Sequence, residues 1–199
     1  MKPLIVDLLR HGEVVGPVSM ARGCGTDLAL TEFGWQQMRA VAAALTESPL
    51  TAIATSPMQR SRLFAEEVAA GRSLPLAILP ALREIDFGHW EGCEAHQIAD
   101  RPLLARFLSD PGEVAIPGGE SFAGFAGRVV DGWQTWLEAH AEGHLLLVSH
   151  GAVMRVLLSH LLGMPHSHFW RLALPYASWC RVSLMAGEQP RLLFLNREA

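Results

Sequence analysis

Leu4-Ile5-Val6-Asp7-Leu8-Leu9-Arg10-His11-Gly12-Glu13 is an apolar run with one acid inside it that stops abruptly at a cation, an imidazole and a glycine. Short continuous apolar runs bounded by turn residues are the mark of strands buried on both faces. The pattern recurs at Leu145 to Val148, which runs into Ser149-His150-Gly151, and in shorter form at Thr51 to Thr55, which runs into Ser56-Pro57. Leu74 to Leu79 is a further strand candidate. Between these runs lie segments of helical period. In Thr31 to Leu45, the residues Met38, Val41, Ala42 and Leu45 fall on one stripe. From near Gly119, Phe122, Phe125, Ala126, Val129, Trp133, Trp136 and Leu137 fall on another, and Val153, Val156, Leu157 and Leu161 on a third. Ser56, with Pro57 next and Gln59 third, reads as the N-cap and capping box of a further helix.

Strands alternating with helices predict an α/β protein, a three-layer α/β/α sandwich with a mostly parallel central sheet. Near the end of the chain, Cys180, Val182 and Leu184 alternate with Arg181 and Ser183. A turn at Gly187 to Pro190 then leads to Arg191-Leu192-Leu193-Phe194-Leu195, a terminal pair of strands. The Gly- and Pro-containing stretch after Glu13 and the segment Leu82 to Gly92 read as loops, and no linker or repeat divides residues 1–199, so one domain is expected.

Composition narrows the function classes. In 199 residues, half are hydrophobic and 18% charged, which supplies a core and argues against disorder. The net charge of −4 gives no global field to recruit nucleic acid or an anionic membrane. Cys24, Cys93 and Cys180 are odd in number and far apart, which suggests neither a disulfide framework nor a cysteine zinc site and fits a reducing interior. The first apolar run is too short and too charged for a leader or a membrane span, so a cytoplasmic protein is expected.

In open α/β sheets, ligands bind beyond the carboxyl ends of the strands. Those ends here carry Arg10-His11-Gly12, Ser56 with Arg60 one turn on, and His150-Gly151. Arginine forks, imidazole N–H groups and amides at a helix start are the donors that match a phosphate dianion, and a neutral histidine can offer a lone pair to phosphorus. Protonating a leaving alkoxide calls for a carboxyl of raised pKa, for which Glu13, Glu84, Asp86 and Glu91 are candidates. Spacing does not choose among them.

Leu9-Arg10-His11-Gly12-Glu13 resembles the signature of the histidine phosphatase superfamily, the phosphoglycerate-mutase-like proteins. SPMQRSR (Ser56 to Arg62), LREIDFGHWEG (Leu82 to Gly92), PGGES (Pro117 to Ser121) and VSHGAVMR (Val148 to Arg155) follow in the family's order, and LTEFG near Leu30 is similar as well. The resemblance implies that His11 is the nucleophile, that Arg10, Arg60 and His150 clamp the phosphoryl group, and that Glu84 is the proton donor. Gly151, Glu13 and Ser121 are the further residues expected near the phosphate. It implies no cofactor and no metal, and as partner a small phosphomonoester, with a homodimer allowed. Within the superfamily the DFGHWEG and PGGES blocks, the tail FWRLALPYASWCRVSL and the modest length are similar to alpha-ribazole phosphatases, which act in cobalamin biosynthesis. A phosphoglycerate mutase, a broad sugar-phosphate phosphatase and an inactive phosphoester-binding protein are the alternatives.

The chain departs from the family in the substrate-facing loop. Val14 stands where Thr is common, the usual nearby Asn is absent, and Cys24 occupies the place of a glycine. Other features have structural readings. Glu120 and Ser121 suit a helix cap, although Ser121 is also within reach of a ligand, and Trp133, Trp136, Trp170 and Trp179 suit the core or the pocket mouth. His166-x-His168 has ligand-like spacing without a companion carboxylate block, so it reads as structural or surface histidine.

Overall fold

A computed structural model describes residues 2–17 and 20–197. Of the loop expected after Glu13, Val18 and Ser19 lie outside the described residues. Six strands, β1 (Leu4–Arg10), β2 (Ala52–Thr55), β3 (Leu76–Ile78), β4 (Gly143–Ser149), β5 (Trp179–Leu184) and β6 (Arg191–Arg197), form one sheet in the order β3-β2-β4-β1-β5-β6. The first four are parallel; β5 runs antiparallel to β1, and β6 antiparallel to β5.

The period of two along each strand sends alternate side chains into two separate cores. Val6 and Leu8 of β1, Leu145 and Leu147 of β4, and Ala54 of β2 pack with Phe122, Phe125, Val129 and Trp133 of helix α4 (Phe122–Glu138) and with Val153 and Leu157 of α5 (Gly151–Leu161). Leu9, Leu146, Val148 and Ile53 face the other way, onto Met38 and Val41 of α1 (Glu32–Ala44) and Phe64 and Ala65 of α2 (Gln59–Arg72). This is the α/β/α sandwich that the sequence predicts. Among the described residues no helix is long and apolar enough to cross a membrane.

Several boundaries differ from the sequence reading. Helix α2 starts at Gln59 with Met58 as its cap residue, rather than at Pro57 behind a Ser56 cap. The cause is tertiary: the Ser56 hydroxyl is engaged by His150, while Asp27 from a distant loop accepts the Gln59 amide at 2.9 Å. Helix α4 starts at Phe122 rather than near Gly119, because Pro117 to Gly119 make a turn, with Gly118 at φ +70° and the Gly119 amide bonded to Ile116 O. Ser121 is the cap, accepting from the Gly124 amide at 3.1 Å. A further helix that the sequence reading does not give, α3 (Arg101–Ser109), is nine residues long, is capped by Asp100 and buries Leu104 and Phe107.

The acid inside the first apolar run is explained by its surroundings. Asp7 is fully buried, and its carboxylate accepts from His144 Nε2 at 2.6 Å, Trp179 Nε1 at 2.7 Å and Arg181 Nε at 2.8 Å. Burial alone would raise its pKa; the bonds from His144, Arg181 and Trp179 outweigh that and hold it below the ordinary carboxylate range. The network ties β1 to β4 and β5. Removing the carboxylate leaves a half-buried guanidinium and the buried His144 ring and Trp179 indole N–H unpaired, so Asp7→Ala is expected to destabilise the protein by about 3 kcal/mol in urea unfolding. A group of depressed native pKa contributes stability that is present above its unfolded pKa and lost as pH falls through the native value. The gap between wild type and Asp7→Asn therefore narrows from pH 5 towards pH 2; a constant gap would count against the assignment.

Candidate active site

Adjacent parallel strands end at the same level, and this gathers the polar residues. Arg10 is opposite Ser149 and Thr55 opposite Val148, so His11, Ser56 and His150 each stand one step past a strand end. The His11 amide donates to Ser149 O at 2.9 Å and the Ser56 amide to Val148 O at 3.2 Å. Past His11 the chain turns over the start of α1. A Cβ at Gly12 would lie 2.3 Å from Gly34 O, and one at Gly34 would lie 2.0 Å from Glu13 O, so neither position admits a side chain. That contact is why RHG and LTEFG are both needed.

The rings of His11 and His150 are 5.3 Å apart at 63°. Their exposures are 4% and 0%. His11 Nδ1 lies 2.8 Å from Gly12 O; a carbonyl only accepts, so Nδ1 carries the proton and Nε2 the lone pair. Burial, reinforced by the charges of Arg60 and Arg10, pushes the His11 pKa well below 6.5, so the ring is neutral at pH 7. His150 is pushed down by burial, Arg60 and His11. Its Nε2 is 2.6 Å from Ser56 Oγ, which also accepts the Met58 amide at 3.2 Å. With no other acceptor for its hydroxyl hydrogen among the described residues, Ser56 donates to Nε2, and the His150 proton sits on Nδ1, which is buried and has no partner among them.

Arg60, at 1% exposure, donates to Thr26 O at 2.7 Å and Gly23 O at 3.0 Å, with Asp27 at 3.7 Å. Arg10 donates to Leu174 O and stacks 4.5 Å from the Tyr176 ring centre. Burial lowers the pKa of both guanidiniums, and the Nε of each is buried without a partner among the described residues. Gly151 lies against Arg10 and Arg155: a methyl there would sit 3.3 Å from Arg10 Nε and 3.2 Å from Arg155 Nη1.

Among the candidate acids only Glu84 joins this cluster. At 6% exposure it accepts from the Ile85 amide at 3.1 Å and from the Ala152 amide, in the first turn of α5, at 3.3 Å. Burial raises its pKa against the opposing pull of Arg60 and those amides. Glu91 instead accepts from the amides of Gly23, Gly25 and Phe87 and from Thr26 Oγ1, fastening the loop whose carbonyls hold Arg60. Asp86 closes a local turn on the Gly88 amide. Glu13 accepts from Thr31 Oγ1 at 2.9 Å and secures the start of α1, and Ser121 is occupied as the α4 cap; among the described residues no hydrogen bond or ion pair joins either to the cluster. His166 packs edge-on against Phe122 at 5.1 Å.

Three residues that the sequence reading did not place also belong here. Arg155 extends one turn along α5 from Gly151, which the spacing in VSHGAVMR signals; burial and Arg10 lower its pKa to about 10. Tyr176 lies 5.7 Å from the His11 ring, and Arg22 donates to its hydroxyl at 2.8 Å. Tyr176 lies in the tail FWRLALPYASWCRVSL without a role having been read for it, and Arg22 had no periodic or motif signal.

A neutral histidine with a free lone pair, set among unpartnered N–H donors and a carboxyl of raised pKa, is equipped for phosphoryl transfer. The sequence matches the Histidine phosphatase superfamily (branch 1) over residues 6–198, and the chain belongs to that family. It is a phosphoric monoester hydrolase. It is 30% identical to the adenosylcobalamin/alpha-ribazole phosphatase of Salmonella typhimurium, with 90% of each chain covered, and 31% identical to phosphoserine phosphatase 1 of Hydrogenobacter thermophilus, covering 95% of this chain and 89% of that one. Among solved structures it is similar to a mycobacterial glucosyl-3-phosphoglycerate phosphatase (TM-score 0.87, 26% identity, 99% and 100% covered). It is equally similar to the alpha-ribazole phosphatase of Shigella flexneri (TM-score 0.87, 26% identity, 98% of each).

Ser56 supplies a test of the His150 tautomer. Ser56→Ala strands the Met58 amide and His150 Nε2, which is expected to cost about 1–3 kcal/mol of stability and to release His150 from a single tautomer. Nitrogen-15 shifts of the His150 ring would show the mixture; an unaltered Nδ1–H form in the variant would refute the role given to Ser56.

Proposed function

We propose that the chain hydrolyses phosphomonoesters through a phosphohistidine on His11 Nε2, with Arg10, Arg60, His150 and the Gly151 amide holding the phosphoryl oxygens and Glu84 moving the proton. The observation that carries this reading is the Nδ1 bond from His11 to Gly12 O, which leaves Nε2 as the lone-pair nitrogen of a neutral, buried ring. In the first step Nε2 attacks phosphorus, the P–O ester bond breaks, and the Glu84 carboxyl gives its proton to the departing alkoxide. In the second, the Glu84 carboxylate takes a proton from water, whose oxygen attacks phosphorus as the P–N bond breaks, releasing phosphate and restoring His11. Negative charge that builds on the equatorial oxygens meets fixed donors that need no reorganisation.

The physiological substrate we favour is alpha-ribazole 5′-phosphate, by analogy with the Salmonella and Shigella phosphatases. A rate comparison of that ester with phosphoserine, fructose phosphates, and 3-phosphoglycerate plus 2,3-bisphosphoglycerate tests the choice. Faster isomerisation of 3-phosphoglycerate than hydrolysis of the ribazole ester would overturn it.

Rapid quench with a phosphorus-32 ester should give acid-labile, base-stable label on wild type and none on His11→Ala. Undiminished turnover by His11→Ala would sink the mechanism. For Glu84 the test is the leaving group. Glu84→Gln should slow an alkyl phosphate by about 10²–10⁴-fold but p-nitrophenyl phosphate far less, because nitrophenolate needs little protonation. Since the Glu84 pKa is raised, kcat/KM for alkyl esters in wild type should fall as pH rises past that value. Because His11 is neutral well below pH 6.5, the acid limb should lie well below 6.5.

A further inference from the structure

Glu84 stands on a segment, residues 83–87, that has no regular structure of its own and lies between the short 3-10 turns Pro80–Leu82 and Gly88–Trp90. A group that delivers a proton must be held closely in place, because a misplacement of about 1 Å is enough to slow a reaction. Helix α4 supplies the hold from outside the segment. Arg128 Nε and Nη2 donate to the two oxygens of Glu120 at 2.6 and 2.7 Å, a fork on a carboxylate. The other guanidinium hydrogens go to backbone: Nη1 to Ala81 O at 2.7 Å and Arg83 O at 2.9 Å, and Nη2 to Glu84 O at 3.1 Å. Every N–H of the guanidinium is thereby used.

The carbonyls of Arg83 and Glu84 belong to the two peptide groups that flank the Glu84 Cα, so Arg128 fixes the direction in which the Glu84 side chain leaves the backbone. Glu120 extends the hold by one residue. Its Oε2 accepts the Asp86 amide at 2.9 Å, its own amide donates to Asp86 O at 3.1 Å, and its Oε1 accepts from Arg83 Nη2 at 3.1 Å. The packing leaves no slack: a Cβ at Gly119 would lie 2.4 Å from Asp86 O, and one at Gly132 would lie 2.5 Å from the Ala81 Cβ. Arg10 of β1, Arg60 of α2 and Arg155 of α5 already act on the Glu84 carboxyl by charge. Arg128 is near enough to act on His150 in the same way. A further uncancelled cation beside Glu84 would favour the carboxylate and remove the proton that the alkoxide needs. Glu120 cancels it.

We propose that Arg128 and Glu120 are positioning residues for the proton transfer: as one neutral pair they fix the peptide groups on either side of Glu84 and add no net charge beside its carboxyl. This rests on the reading of Glu84 as proton donor and adds to it the residues through which α4 controls that step.

The test is kcat/KM for an alkyl ester against p-nitrophenyl phosphate. Arg128→Met should lower the alkyl-ester value by about 10- to 100-fold. The nitrophenyl value should fall by less than about 3-fold, since nitrophenolate needs little protonation. In a Glu84→Gln background the same substitution should cost the alkyl ester no more than the nitrophenyl ester, because no proton is left to place. Arg128→Lys keeps a cation without the fork and should remain slow on the alkyl ester. Glu120→Gln leaves the Arg128 charge uncancelled, and positive charge stabilises the Glu84 carboxylate, so the basic limb of the alkyl-ester profile should move to lower pH. Should Arg128→Met fail to fold, Arg128→Lys and Glu120→Gln carry the same comparison. Equal losses on the two esters, or a basic limb that Glu120→Gln leaves in place, overturn the positioning role. If Glu84→Gln by itself slows both esters alike, the reading of Glu84 falls, and the positioning role with it.

Discussion

Arg10, Arg22, Arg60 and Arg155 are gathered around two neutral imidazoles, and mutual repulsion would drive them apart unless the fold held each one. It holds them mainly with carbonyl oxygens. Arg60 is gripped by Gly23 O and Thr26 O, Arg155 by Leu172 O, Arg10 by Leu174 O and Arg22 by Pro17 O. Carbonyls satisfy N–H groups and orient them with partial charge only, so the positive potential survives for an incoming anion. A carboxylate on each guanidinium would position it as well but would repel the phosphate it is meant to attract. Arg128, beneath the site, shows the contrast: it is paired with both oxygens of Glu120 and donates to Ala81 O, Arg83 O and Glu84 O. That arginine is neutralised, and its part is to brace the segment that carries Glu84.

Four acids lie close together in sequence or space around this potential, and their surroundings give them different work. Glu84 is buried with two amide donors and keeps a raised pKa. Glu91 spends both oxygens on the loop that grips Arg60, so it shapes the site without facing the reaction. Asp86 closes a turn, and Glu120 is held below the ordinary range, the bonds from Arg128 and the Asp86 amide outweighing the opposing effect of burial. Only a carboxyl without a cation bonded to it can keep its proton at the pH where an alkoxide needs one.

This explains what the sequence could and could not say. The strands were legible because buried runs such as Leu145 to Val148 have a pattern of their own, and the convergence of His11, Arg60 and His150 followed from the rule that parallel strands end together. The start of α2 was misread because Ser56-Pro57-x-Gln59 satisfies a local capping rule while the Ser56 hydroxyl is claimed by His150, a residue far along the chain. Tertiary demand overrides local propensity wherever a side chain has two possible partners. The choice of Glu84 over Glu91 and Asp86 was beyond spacing for the same reason, since it depends on which carboxyl another part of the chain has already engaged. Arg22 and Tyr176 belong to no period at all. Their pairing exists only once β1 and the segment before β5 are side by side, through the bond from the Ala177 amide to His11 O.

The site's surplus of unpaired donors must be offset elsewhere, and β1 carries both ends of the account. Asp7, on the same strand as Arg10, is saturated by donors from β4 and β5 and lies away from the reacting groups on the face of the sheet towards α1 and α2. Its network fixes the lateral register of the strands whose ends build the site. Because that register is secured in the sheet, the residues just past the strand ends are free to hold unsatisfied N–H groups and depressed histidine pKa values that would otherwise loosen the packing. Stability and reactivity are thus drawn from different stretches of one strand, and substitutions in the cradle should change binding and turnover more than they change folding.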